Sequence, residues 1–321
     1  MERESTSVIF RPDLNAQVAE YMEKSAQGRF IAPKVAPLFR SESRRGQYPI
    51  FRKDAFKKLA QLSRNANGTY NAVGGHFGAG SFVCDDNGLE YPIDDAKRRE
   101  YASIFDAELA GSRILMQQLM LGWEYRVAQL FANASFSNTN VATAWTTTST
   151  AVPLDDLQTG INTLCDKWGC LPQDISLVIP RTDFIEMNRT SQVANKAQYT
   201  FPGVIPSLLA PMQIAAMLSI KEVLVASSVY DSTEEGIAES NSQCWTAGVI
   251  YLTVCATEND PLEIPSAART VLWTGDSPEL PTMESYRSDE RRADIVRARA
   301  STDEIFLLDD ANPMVYKLTN T

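Results

Sequence analysis

Few residues in this chain are of the types that carry catalysis. His76 is the single histidine, so any histidine general base has to be that one. Ser277, in the GDS stretch Gly275–Ser277, would be the nucleophile beside it, making a cytoplasmic serine hydrolase the catalytic alternative. A triad needs three groups to converge, and nothing in the spacing brings His76 to Ser277. The glycine-rich GGHFGAG at Gly74–Gly80 does not have the G-x-G-x-x-G spacing. It also lacks the preceding strand and following helix that would give such a loop its nucleotide-binding meaning. No phosphate-binding G-x-x-x-x-G-K-[ST] loop occurs. The paired acids Asp94-Asp95 and Asp155-Asp156 read as helix starts, where the backbone dipole favours negative charge. The cysteines Cys84, Cys165, Cys170, Cys244 and Cys255 are dispersed, and Cys165 and Cys170 are not in Cys-x-x-Cys spacing. The residues thus predict no catalytic, cofactor-binding or metal-ligating site, and a protein that is not an enzyme.

Charge narrows the partners. The chain has 321 residues, 44% hydrophobic and 22% charged, with net charge -10. That composition is globular, and the length suits one large domain or two ordinary ones. An acidic total argues against a simple phosphate-binding protein. No run approaches the roughly 20 apolar residues of a membrane helix, and the N-terminus has no apolar signal region. Reduced cysteines and a cytoplasmic site of synthesis are therefore expected, with no membrane partner. The charge is uneven. Arg40, Arg44, Arg45, Arg52, Lys53, Lys57, Lys58 and Arg64 make one segment basic, whereas acids dominate from Asp276 to Asp310.

The elements that must position these charges follow from periodicity. Residues 1–45 read as an arm, with Pro33 and Pro37 favouring extended chain and a short helix over Ala16–Ser25. QYPIF (Gln47–Phe51) is a strand. Ala60–Gly80 is a flexible tip, and SFVCDDNGLEYPIDD returns as extended chain with a turn signal at Asp86-Asn87-Gly88. One helix is expected over Ala96–Ala134. Phe105, Leu109, Met116, Met120, Trp123, Val127 and Leu130 form its apolar stripe, and Asp106, Arg113, Gln117 and Glu124 the opposite face. Pro153 opens a second helix that Gly169 stops. ISLVIP is a buried strand, Thr182 caps a helix to about Asn188, and a polar loop runs to Pro206. MQIAAMLSI is helical. KEVLVASSVY, CWTAGVIYLTVCAT and ARTVLWT are strands.

The last long stretch, TMESYRSDERRADIVRARASTDEIFL, begins at Thr282. It alternates Ile295, Arg297 and Arg299 with Val296, Ala298 and Ala300, a strand with a charged face and a small apolar face. The small face is expected on the long helix. Arg297 and Arg299 are expected to point outward, towards a neighbouring subunit or acids of the same sheet.

In order of parts the chain resembles the major capsid (major head) proteins of tailed bacteriophages, the Hong-Kong-97-type shell fold shared with encapsulins. The resemblance runs over nearly the whole chain. It rests on GLEYPIDDAKRREYAS, LMLGWEYRVAQLF, LVIPRTDFIEMN, MLSIKEVLVASSVYDS, ARTVLWT and the closing ESYRSDERRADIVRARASTDEIFLLDDANPMVYKL. It implies an α+β fold with an N-terminal arm (1–45) and an extended loop or β-hairpin (46–96). A long spine helix with the first part of a peripheral domain (97–153), an axial α/β domain (154–282) and the second part of the peripheral domain (283–321) complete it.

By the same resemblance the protein is a structural, self-assembling subunit of an icosahedral head enclosing double-stranded DNA. It would meet itself in pentamers and hexamers, with scaffolding, portal and decoration proteins as further partners and little specific binding of the DNA. Its place would be the virion, after assembly in the host cytoplasm. An encapsulin-like nanocompartment shell is the alternative within the fold. The arm is too short for the large N-terminal scaffolding domain of some relatives, and no motif supports a crosslink from Lys53, Lys57 or Lys58. Candidate inter-subunit contacts are Arg44, Arg45, Arg52, Lys53, Lys57, Lys58, Glu290, Arg297 and Arg299.

Overall fold

The structure is a computed structural model. It describes residues 9–11, 14, 30–51, 63, 68, 77–101, 106–201, 209–233, 236–258, 260–262, 264, 266–307 and 314–320. In chain order the elements begin with β1 (Ile9–Phe10), the short helix α1 (Ala32–Val35), β2 (Leu38–Ser41), β3 (Arg45–Phe51), β4 (Phe77–Val83) and β5 (Asp85–Asp94). Helices α2 (Asp95–Tyr101) and α3 (Ala107–Asn133), β6 (Asn138–Asn140), helix α4 (Pro153–Trp168) and β7 (Ile175–Pro180) follow. Then come α5 (Arg181–Arg189), α6 (Ser191–Thr200), α7 (Pro211–Leu218), β8 (Glu222–Ala226), β9 (Val229–Asp231), β10 (Asn241–Gln243) and β11 (Val249–Val254). The chain closes with β12 (Ala268–Trp273), β13 (Thr282–Ser288), β14 (Ala293–Phe306) and β15 (Val315–Thr319).

Two larger sheets carry the fold. The first runs β1-β13-β14-β12-β2, with β5 on the other edge of β14. The second runs β6-β15-β11-β7-β8. Sheet membership crosses the chain ranges read from the sequence, since β12 joins the first sheet and β15 the second. Phe131, fully buried near the end of α3, ties the two together. Its ring meets Phe306 of the first sheet at 5.3 Å and Tyr251 of the second at 5.4 Å, both edge-on.

The expected single long helix is two. Asp106 is not a polar-face residue but the N-cap of α3, its Oδ1 accepting from the backbone N–H groups of Glu108 and Leu109 at 3.0 and 3.3 Å. The 27 residues of α3 still span on the order of 40 Å. Met116, Met120, Trp123 and Val127 are buried as the stripe predicts, but so is Glu124, which was placed on the polar face. The small face of β14 packs here: Val296, Ala298 and Ala300 are buried, and Ile295 on the arginine side is buried as well. Gly111 lets β5 come close, because a Cβ there would lie 2.5 Å from the Tyr91 ring.

Other expectations fail where tertiary pairing overrides local propensity. Asp86-Asn87-Gly88 makes no turn, since β5 runs through it in an unbroken ladder with β14 from Asp85↔Thr302 to Asp94↔Ala293. Phe77–Gly80 is strand rather than tip, paired with β3. The polar loop before Pro206 contains α6, whose Val193 and Ala197 are buried one turn apart. Helix α5 starts after Pro180 without a side-chain cap from Thr182. The KEVLVASSVY strand is broken at Ser227-Ser228 into β8 and β9, and β11 begins only at Val249, after Gly248 with φ 78°.

Helix α4 matches its prediction, from Pro153 in the first turn to Gly169 in the left-handed conformation, φ 69°. Its Gly160 lies so close to the second sheet that a Cβ would sit 2.6 Å from Leu252 Cδ1 and 2.8 Å from Tyr316 Cδ1. Gly160→Val gains under about 1 kcal/mol of helix propensity but overpacks a filled interface at a cost of about 1–3 kcal/mol. A net loss in chemical denaturation is the expected outcome.

Candidate assembly surface

The outer face of the first sheet is a charge ladder built by strand register. Glu284 of β13 stands opposite Arg297 of β14, which stands opposite Glu90 of β5. Glu284 is nearly buried and takes both neighbouring guanidinium groups. Arg297 Nε and Nη2 donate to its Oε2 at 3.1 and 2.5 Å, and Arg299 Nε and Nη2 to its Oε1 at 3.0 and 2.9 Å. Arg299 also pairs with Asp276 at 2.5 Å. Burial alone would raise the Glu284 carboxyl, but the two arginines outweigh it and hold it below the usual carboxylate range. The Arg299 hydrogen bond does the same for Asp276. Tyr286 lies beneath the Arg297 guanidinium and donates to Glu90 at 2.7 Å.

A second network joins this sheet to the helices. Arg287 pairs with Asp95 at 2.6 Å and Asp294 at 3.2 Å, Arg98 with Asp294 and with Glu108, and Arg11 with Glu108 at 3.1 Å. Arg126 pairs with Glu304 at 3.1 Å. Several acids of the Asp276–Asp310 stretch are therefore neutralised within the subunit. Glu290 sits on the exposed turn between β13 and β14 beside Asp289.

Of the basic segment, the described part is the two-stranded β3–β4 ribbon with Arg44 and Arg45 at its start. Its base is anchored by Tyr48, Phe82 and Cys84, buried against Val271, Ile305 and Leu307. Tyr48 Oη donates to the Phe306 carbonyl at 2.9 Å. Two aromatic rings lie directly over cross-strand glycines, since a Cβ at Gly80 would meet the Tyr48 ring at 2.3 Å and one at Gly46 the Phe82 ring at 2.6 Å. Arg44 donates to the Cys84 carbonyl at 3.1 Å and covers Trp273, while Arg45 is exposed at the ribbon's base. Burial pushes the Cys84 thiol up to about 11. Arg52, Lys53, Lys57 and Lys58 lie outside the described residues, as does His76.

Ser277 is fully buried, and its Oγ accepts from the Ser301 backbone N–H at 3.2 Å. Its neighbour Asp276 accepts from Ser301 Oγ and Arg299. The GDS stretch is thus a structural clasp on β14. Among the described residues no cluster of three or more metal-ligating side chains occurs, and no helix is long and apolar enough to cross a membrane. Two residues central to this architecture, Glu284 and Glu124, were not singled out from the sequence. Glu284 was legible only through the register that sets it against Arg297. Glu124 carries no sequence signal, because an acid on an amphipathic helix ordinarily faces water.

Across nearly its full length the chain superposes on a phage-related protein from Bordetella bronchiseptica RB50, with TM-score 0.70, 16% identity and 98% of both chains covered. It also superposes on a chain of the capsid structure of cyanophage P-SCSP1u, with TM-score 0.58 and 13% identity, over 91% of this chain and 88% of that one. The chain has the tailed-phage capsid fold. In sequence this capsid-fold chain is 23% identical over 231 residues to the major capsid protein of Burkholderia phage BcepMu, 70% of this chain and 71% of that protein. No family model matches.

Proposed function

We propose that this chain is a structural shell subunit, the major capsid protein of a tailed-phage head, acting by self-association rather than catalysis. The observation that carries this reading is the capsid-fold match over almost the whole chain, joined to a sequence relationship with a major capsid protein. Subunits in a closed shell meet through heterologous patches, one surface against a different one. The β3–β4 ribbon, with its glycine-and-aromatic base, together with the basic sequence that joins its strands, is the patch proposed to reach a neighbour. The exposed turn with Asp289 and Glu290 is the acidic counterpart. Arg44 and Arg45 stand at the ribbon's base, while Arg297 and Arg299 hold Glu284 within the subunit and would touch a neighbour only over that paired surface.

In the same reading, residues 1–45 are the arm, 46–96 the extended loop, 97–153 with 283–321 the peripheral domain, and 154–282 the axial domain. Packaged DNA, scaffolding, portal and decoration proteins are the proposed partners, and the virion, assembled in the host cytoplasm, the proposed location.

Electron microscopy of the purified chain with mass by light scattering tests the function. Closed shells, tubes, pentamers or hexamers are expected. A monomer that persists at high concentration and with crowding agents overturns it. Reversing charge at Lys57 and Lys58 together (K57E, K58E) is expected to impair assembly and leave subunit folding by circular dichroism unchanged. Normal shells from that variant would remove the basic segment's electrostatic role.

A further inference from the structure

Helix α4 ends in a way that brings two cysteines together. Gly169 closes the helix in the left-handed conformation, and its N–H donates to the Cys165 carbonyl at 2.7 Å. In such a cap the residue after the glycine folds back over the last helical turn. That residue is Cys170, and the one it folds over is Cys165. Both are half-buried, and both pack with Trp168 against the main core. The chain beyond Cys170 is fixed as well. The Leu171 N–H donates to Asp174 Oδ2 at 3.0 Å, across the 3-10 turn Pro172–Asp174 that leads into β7.

Access sets this pair apart from the other cysteines. Cys170 lines a cavity of about 520 Å³ together with Trp168, Asp174, Lys221 and Ile264, a volume within the range of small-molecule sites. Cys255 borders the same cavity, but its Sγ donates to the Val35 carbonyl at 3.6 Å. Burial pushes the Cys255 thiol up to about 12. Cys84 and Cys244 are buried elsewhere in the fold. The Cys170 thiol, by contrast, meets the Cys165 thiol directly. Burial first, and then this neighbour, push it up to about 11, which keeps it protonated at neutral pH.

We propose that Cys165 and Cys170 form a dithiol site for low-molecular-weight disulfides, which exchange with the pair and leave a Cys165–Cys170 bridge across the end of α4. The exchange takes two steps. Cys170 gives its proton to water and attacks one sulfur of the small disulfide. A mixed disulfide forms, and one small thiolate leaves and takes up a proton. Cys165 then loses its own proton and attacks the Cys170 sulfur, and the second small thiolate leaves and is protonated in turn. The two protein thiols are oxidised by two electrons, and the small disulfide is reduced to two thiols. The first step is slow at neutral pH because the thiolate is scarce. The second is fast because the two sulfurs are already side by side. The bridge closes a six-residue loop over Gly169 and fastens the last turn of α4 to the segment entering β7.

The probe is oxidised glutathione, added to the reduced full chain at mildly alkaline pH. Acid quenching, denaturation, alkylation of the remaining thiols, trypsin digestion and peptide mass spectrometry follow. Lys167 lies between the two cysteines, so cleavage there separates them unless a bridge joins the peptides. The expected product is the joined pair, lacking two hydrogens, with Cys84, Cys244 and Cys255 recovered as alkylated thiols. The glutathione adduct on Cys170 is expected to stay below about a tenth of the bridged form, because the second attack is intramolecular. Cys165→Ser is expected to reverse that ratio and leave the adduct on Cys170 as the main product. Three results in the unaltered chain would each overturn the proposal: Cys165 and Cys170 alkylated like the other cysteines, an adduct that persists without bridging, or a bridge from Cys170 to Cys255.

Discussion

Phe131→Ala is expected to lower the unfolding free energy by about 4 kcal/mol, with a large drop in the chemical denaturation midpoint. The ring is fully buried, and truncation removes its transfer free energy and leaves a cavity. The position also matters. Phe131 meets Phe136, Trp245, Tyr251 and Phe306 within 6.1 Å, mostly edge-on. Each such pair adds roughly 0.5–1.5 kcal/mol beyond area. Phe306 and Tyr251 belong to different sheets, so the loss falls on the contact that holds the sheets together. Phe131→Leu keeps most of the volume and should recover about half of the loss. If Phe131→Ala unfolds within about 1 kcal/mol of the unaltered chain, the aromatic cluster does not couple the sheets.

The second large effect is expected from Glu284→Ala. Removing this carboxylate leaves Arg297 and Arg299 side by side on β14, half-buried and without the acceptor that both use. Breaking a buried pair from one side costs about 3–5 kcal/mol when fully enclosed. These guanidinium groups retain some solvent, and Arg299 keeps Asp276, so about 2–3 kcal/mol is the expected loss. Glu284→Gln retains one acceptor and should cost less. The sign of the pH dependence follows from the lowered carboxyls of Glu284 and Asp276. A depressed folded value contributes stability above the unfolded value and loses it as pH falls through the folded one. The ladder's contribution is therefore complete at neutral pH, begins to fall below the ordinary carboxylate range of about pH 4, and is lost as pH drops through the lower folded values. Acid titration of the unaltered chain against Glu284→Ala reads it directly: the two stability curves should converge in acid. Curves that stay parallel to pH 2 would mean that the carboxylate charge contributes nothing.

What was legible in the sequence is what short-range chemistry controls. Pro153 and Gly169 delimit α4 because one fits the first helical turn and the other accepts a left-handed backbone. ISLVIP is a strand because six consecutive buried residues bounded by breakers suit a covered sheet. The small and charged faces of β14 follow from strand alternation alone. The order of arm, ribbon, long helix and late strands was enough to suggest the capsid fold. The tertiary structure decided the rest. Asp86-Asn87-Gly88 has turn chemistry, but a ten-residue ladder to β14 pulls it straight. Asp106 was read as helix surface until a break at its own position made it a cap. Arg297 and Arg299 have a sidedness that the sequence dictates, yet their partner, Glu284, is chosen by register between strands that a turn brings together. Glu124 is the extreme case. Its periodicity puts it among solvent-facing residues, and only the arrival of Ile31, Ser228 and Trp245 from three distant segments turns it into a buried acceptor. Local conformation depends on neighbours along the chain, whereas burial and pairing depend on neighbours in space, and these the sequence does not name.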